Sequence, residues 1–108
     1  MAFTSDFTAA VKVKLHITWS DPATDAEVEQ ATETAAGRLE RLVALPSGTI
    51  GERVETDAAL RGLLLDAILY EFNGAWDDFL SHYDTDLQST RLYMEAATGG
   101  DPDGTEEA

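Results

Sequence analysis

The apolar positions of this chain fall into blocks with different periods. From Val11 to Trp19, "VKVKLHITW", they alternate strictly: Val11, Val13, Leu15, Ile17 and Trp19 against Lys12, Lys14, His16 and Thr18. That is the period of a β-strand, and β-branched residues are frequent in it. A second period overlaps the first. Phe7, Val11 and Leu15 recur every four residues behind a candidate cap at Thr4 or Ser5, which suits a short helix. Local pattern alone favours the strand.

Helical spacing is clearer downstream. Pro22, then Thr24 and Glu27 as a capping box, precede Val28, Ala31, Ala35, Leu39, Leu42 and Val43. The small residues Ala31, Ala35 and Ala36 would let another helix approach closely. Gly37 weakens this helix by roughly 1 kcal/mol relative to Ala, and "LPSG" ends it. The stretch "SGTIGERVE" reads as a loop. Thr56 or Asp57 caps the next helix, "AALRGLLLDAILYEF", which is apolar on nearly every side. Such a helix is buried all round, at the centre of the domain or shared with a neighbouring subunit. Asn73-Gly74 interrupts it. Trp76, Phe79, Leu80 and Tyr83 then form a one-sided stripe, with Asp77, Asp78 and Ser81 turned away. These aromatics, Trp76, Phe79 and Tyr83, suit either core packing or a subunit interface. Thr85 and Gln88 offer another capping box, so a short break is expected at Asp84. Leu87, Arg91 and Met94 continue a thin stripe, and "ATGGDPDGTEEA" reads as a flexible acidic tail. The expected domain is residues 1–97, with residues 98–108 as the tail.

Composition narrows the function. A chain of 108 residues is one domain with a modest core. It contains no cysteine, so disulfides and Cys-based metal sites are out. No apolar run approaches the roughly 20 residues of a membrane helix, and "MAFTSDF" lacks the features of a signal peptide. The expectation is a soluble protein used without export. Charge is the unusual feature: 7 basic against 21 acidic residues, a net −14. Binding nucleic acid through phosphates needs a basic face that this chain lacks. The acidity has three readings: ordinary solubility, adaptation to molar salt, or an acidic mimic of DNA.

Candidate chemistry is sparse. His16 and His82 have no partner at metal-ligand spacing. Asp77 and Asp78 are adjacent and point about 100° apart on a helix, so they cannot share a face. Asp84 and Asp86 flank a helix start, where charge and capping explain them. "DPDG", Asp101 to Gly104, lacks the remaining ligands of a calcium loop. Neither a nucleophile elbow nor a phosphate loop is present. No catalytic residue, cofactor or metal is expected, and the chain is not read as an enzyme.

The order of these features resembles the head–tail connector (adaptor) proteins of long-tailed double-stranded DNA viruses. The resembling positions are Val11, Lys12, Leu15, Ile17, Asp21, Asp25, Tyr70, Ala75, Phe79, Tyr83, Leu87 and Arg91. They span nearly the whole chain up to Met94, and the "F...Y...L" ending is the most specific part. The resemblance implies an all-α fold, a small bundle of four to five helices, assembling as a ring, typically a dodecamer, beneath the portal. It makes Phe7 to Leu15 a helix. It also implies a virion protein of the neck, assembled in the host cytoplasm, whose partners are the portal protein, neighbouring copies and a downstream head-completion or tail-side protein. DNA would pass through the channel without specific binding during packaging and ejection. On this reading Leu87, Arg91, Leu92 and Met94 are the candidate contacts to portal or neighbour. Arg91 has a plainer alternative, an intrachain pair with Glu95. From another class, a free acidic interaction protein, either a DNA mimic or a small regulator, also fits the composition. The shortage of lysine and excess of acid point to a halophilic host.

Overall fold

The computed structural model describes residues 3–19 and 21–98, and the described residues form six helices and no strand. They are α1 (Ser5–Lys14), α2 (Pro22–Leu42), α3 (Ile50–Arg53), α4 (Ala58–Phe72), α5 (Trp76–His82) and α6 (Asp84–Thr98). The all-α class is therefore as expected, with a short α3 added. The tail beyond Thr98, including "DPDG", lies outside the described residues. The molecule is elongated, with principal extents of 53 × 28 × 19 Å.

The conflict at α1 resolves as helix. Thr4 Oγ1 accepts the Phe7 amide at 3.1 Å and starts the helix. Phe7 and Val11 are buried, while Val13 is 74% exposed. Alternation predicted Val13 inside, so half the strand pattern was incidental. At the other end His16 takes a left-handed backbone with φ 61°. Its amide reaches Val13 O, and the Ile17 amide reaches Lys12 O at 2.9 Å. This Schellman turn folds Ile17 back into the core. An isolated strand would have no partner in a chain of helices.

Helix α2 begins earlier than the Thr24–Glu27 box suggests. Asp21 is the N-cap: its Oδ2 accepts both the amide and the hydroxyl of Thr24, each at 3.1 Å. Pro22 fills the first turn, where no amide is needed. Ala31, Ala35 and Ala36 are buried and allow α4 to lie close against α2. Asp57, rather than Thr56, caps α4 by accepting the Leu60 amide at 3.0 Å. Helix α4 is the centre, touching α1, α2 and α5. Leu60, Leu64, Ala67 and Ile68 are buried, whereas Leu65 and Leu69 remain half-buried at its edge.

Two further features departed from the sequence reading. The loop between α2 and α4 contains α3, a single turn with Ile50, Gly51 and Val54 buried. Its N-cap Thr49 makes no side-chain cap. The cap comes instead from Glu40 on α2, whose Oε2 accepts the Ile50 amide at 3.0 Å. Glu40 is only 3% exposed. The second departure is at the α5–α6 junction, where helical dihedrals lapse at Tyr83 (φ −111°, ψ 17°) rather than at Asp84.

Three helices end in the same Schellman turn, but only one uses glycine. Gly74 (φ 69°) ends α4, while His16 and Ala44 (both φ 61°) end α1 and α2. A left-handed residue with a Cβ costs roughly 1–2 kcal/mol. Glycine removes that strain but loses roughly 0.5–1 kcal/mol of entropy. Ala44→Gly is therefore expected to stabilise by about 0.5 kcal/mol, raising the thermal midpoint by a few degrees. Calorimetry of the variant checks this, and an unchanged or lowered midpoint refutes it.

Candidate interaction face

The aromatics of α5 form one continuous stack. Trp76 and Phe79 lie 4.9 Å apart and Phe79 and Tyr83 lie 4.7 Å apart, both pairs near parallel. Tyr70 of α4 meets Phe79 and Tyr83, each at 5.8 Å. Phe79 is fully buried; Trp76 and Tyr83 are half-buried at the margin of the core. Arg38 of α2 covers the Trp76 ring at 5.2 Å and pairs with Glu71 at 3.0 Å. All three expected aromatics thus sit in the chain's own core or on its rim.

Tyr83 is held by a polar line that joins three helices. Its hydroxyl donates to Asp66 Oδ2 at 3.1 Å, and Asp66 Oδ1 pairs with Lys14 at 2.6 Å. Burial first, and then the neighbouring Asp66 carboxylate, push the Tyr83 phenol up from 10.0 to about 12. The raised value means the folded state prefers the neutral phenol. That contribution to stability is whole below pH 10 and is lost as pH rises through about 12. Phenolate absorbance across alkaline pH is expected to include a late ionisation that Tyr83→Phe abolishes. A variant titration curve superimposable on the wild type would contradict it.

The candidate contact residues of α6 divide into two pairs. Leu87 and Met94 are buried in the core cluster, at 7% and 1% exposed. They fasten α6 to its own bundle and are not open to another chain. This corrects the expectation that Leu87 and Met94 contact the portal or a neighbour, and a truncation after Asp86 would open the core. Arg91 and Leu92 face outward. Arg91 forms the i+4 pair with Glu95 at 3.2 Å, with both side chains about half exposed. Such a pair is worth roughly 0.3–0.5 kcal/mol and leaves Arg91 available. Leu92 is 67% and Tyr93 61% exposed. Tyr93 was not singled out in sequence, although at about 100° per residue it falls to one side of the Leu87–Met94 stripe.

Two open grooves flank this framework. One, of about 450 Å³, runs between α1 and α2, with the Lys12–Asp25 pair (2.7 Å) beside Val28, Glu29 and Glu33. The other, of about 550 Å³, lies between the start of α4 and the end of α6. Among the described residues no three His, Asp or Glu side chains group as metal ligands, and His16 and His82 are both exposed. His82 Nδ1 meets Tyr70 Oη at 3.4 Å. Asp77, Asp78, Asp84 and Asp86 are all exposed. Among the described residues no helix is long and apolar enough to cross a membrane. No protein-family model, curated protein or solved structure matches the chain.

Proposed function

We propose that this chain is a structural head–tail connector (adaptor) of a tailed virus, bound beneath the portal as a ring that extends the DNA channel. The observation that carries the reading is α6. Leu87 and Met94 anchor it, while Leu92, Tyr93 and Arg91 are turned outward near the end of the described chain. A fastened helix with an open apolar face binds with little loss of freedom. The connector-like sequence signature and the all-α fold agree with this role. The acidity suits it as well, because a lumen lined with Asp and Glu repels the phosphates of passing DNA. On this reading the neighbours are the portal, further copies in a dodecamer, and a tail-side protein. The place of action is the neck of a virion that infects a halophilic host.

The test is co-assembly with the portal. Wild-type protein should co-purify with portal-bearing capsids. Leu92→Asp should keep its helicity, since Leu92 is exposed, yet lose at least about tenfold in capsid-bound protein. A Leu92→Asp protein retained at the wild-type level removes α6 from the portal contact. The net charge of −14 also favours a free acidic mimic or regulator. That alternative predicts capture by a basic DNA-binding protein and no co-purification with capsids.

A further inference from the structure

Asn73 is the only asparagine in the chain, and a glycine follows it. That pair is reactive in itself. The Gly74 backbone nitrogen can attack Cγ of the Asn73 side chain, and glycine has no side chain to shield the attacking atom. The N–Cγ bond forms and the Cγ–Nδ2 bond breaks. The side-chain nitrogen leaves as ammonia, carrying the proton that Gly74 N gives up. Water then opens the cyclic imide at either of its carbonyls. One opening gives aspartate; the other gives isoaspartate, in which the main chain runs through the former side chain. Both leave a carboxylate at position 73.

The folded protein closes this route, although both residues are exposed. The ring forms only when Gly74 N swings over Asn73 Cβ. At ψ 6° it eclipses the amide nitrogen of Asn73 instead. Three backbone bonds hold that angle: Asn73 N donates to Leu69 O at 3.2 Å, Gly74 N to Glu71 O at 3.1 Å and Ala75 N to Tyr70 O at 2.8 Å. The side chain is tied as well, because Asn73 Nδ2 donates to Leu69 O at 2.9 Å. The Gly74 bond and the side-chain bond must both break before N and Cγ can meet. They lie at a solvent-exposed helix end, where local opening costs least.

We propose that Asn73–Gly74 is a modification site gated by the fold, shut while the end of α4 is capped and converted irreversibly once that end opens. The product does not restore the cap. A carboxylate has no hydrogen to donate to Leu69 O, and it adds negative charge at the C-terminus of α4, where the helix dipole disfavours it. Isoaspartate also lengthens the main chain within residues 73–75, the link that sets α5 against α4. A molecule that has opened and reacted is left with a weakened joint beneath the Trp76–Phe79–Tyr83 stack. The inference does not rest on the connector role.

The test is incubation in a mildly alkaline buffer with potassium chloride, with and without enough urea to unfold the chain, as shown by circular dichroism. Samples are digested with trypsin, and the peptide 62–91, which holds Asn73, is followed by mass and by retention against synthetic aspartyl and isoaspartyl standards. Conversion in urea should be at least about tenfold faster than in the folded protein. Phe79→Ala keeps the Asn-Gly pair but loosens α5, and without urea it should convert faster than the wild type. Isoaspartate and aspartate should appear together. Asn73→Asp, which carries the product's charge, should lower the thermal midpoint by a few degrees. Equal rates with and without urea overturn the gate. Aspartate without isoaspartate overturns the ring-closing route, and an unchanged Asn73→Asp midpoint overturns the weakened joint. None of these results bears on portal binding, which is decided separately by Leu92→Asp.

Discussion

The thermal unfolding midpoint should climb steeply as potassium chloride is raised from about 0.1 to 3 M, and helicity should be partly lost at the low end. The net charge of −14 is the cause. Only four acidic side chains among the described residues are paired with Lys or Arg: Asp25, Asp66, Glu71 and Glu95. The remaining carboxylates repel one another over a small surface. At about 0.1 M salt the screening length is ~10 Å, comparable to their spacing; at 1 M it is ~3 Å. Salt also weakens the four pairs. Those pairs are partly exposed and each contributes only roughly 0–1 kcal/mol, so relief of the repulsion outweighs their loss. A gain of about 2 kcal/mol would raise the midpoint by roughly 10 °C in a domain of this size. A midpoint flat across the range would remove the halophilic reading and leave the connector reading intact.

Phe79→Ala is expected to be the most damaging single change. The ring is fully buried and contacts Trp76, Tyr83 and Tyr70 at once. Truncating a buried Phe typically costs about 3–5 kcal/mol. Small domains hold only about 5–15 kcal/mol in total. The variant should therefore show a large drop in its urea midpoint, and at low salt it should be substantially unfolded. Phe79→Leu keeps most of the volume and should lose less. Equal midpoints for Phe79→Ala and the wild type would mean that the stack does not organise the core.

How far the sequence disclosed this molecule depended on where each signal lay. Helices α2 and α4 were legible because their apolar spacing is long and Asp57 is a local cap. The start of α2 was misplaced by three residues because Thr24 serves Asp21 as a donor instead of leading a box with Glu27. In α1 two periods overlapped, and tertiary packing of Phe7 and Val11 decided between them. Helix α3 could not be read locally, since its cap arrives from Glu40, ten residues away. A charged residue on the apolar stripe between Ala36 and Val43 was the signal. The Trp76, Phe79, Tyr83 stripe was plain, but periodicity gives a face without naming what covers it. That same limit misassigned Leu87 and Met94, whose thin stripe closes on the chain's own core cluster. The groove between α4 and α6 left no trace in the pattern, because it is made by helices distant in sequence.

Both lysines of the chain sit on α1, and both are engaged: Lys12 with Asp25 of α2, and Lys14 with Asp66 of α4. Amine-directed chemistry on side chains thus has no neutral target in this protein. A biotin ester, a fluorescent label or an enzymatic acetyl group must erase the charge that ties the first helix to α2 and α4. Tags meant to follow assembly belong on introduced thiols, and a lysine-labelled sample would report on a chain whose α1 has been loosened.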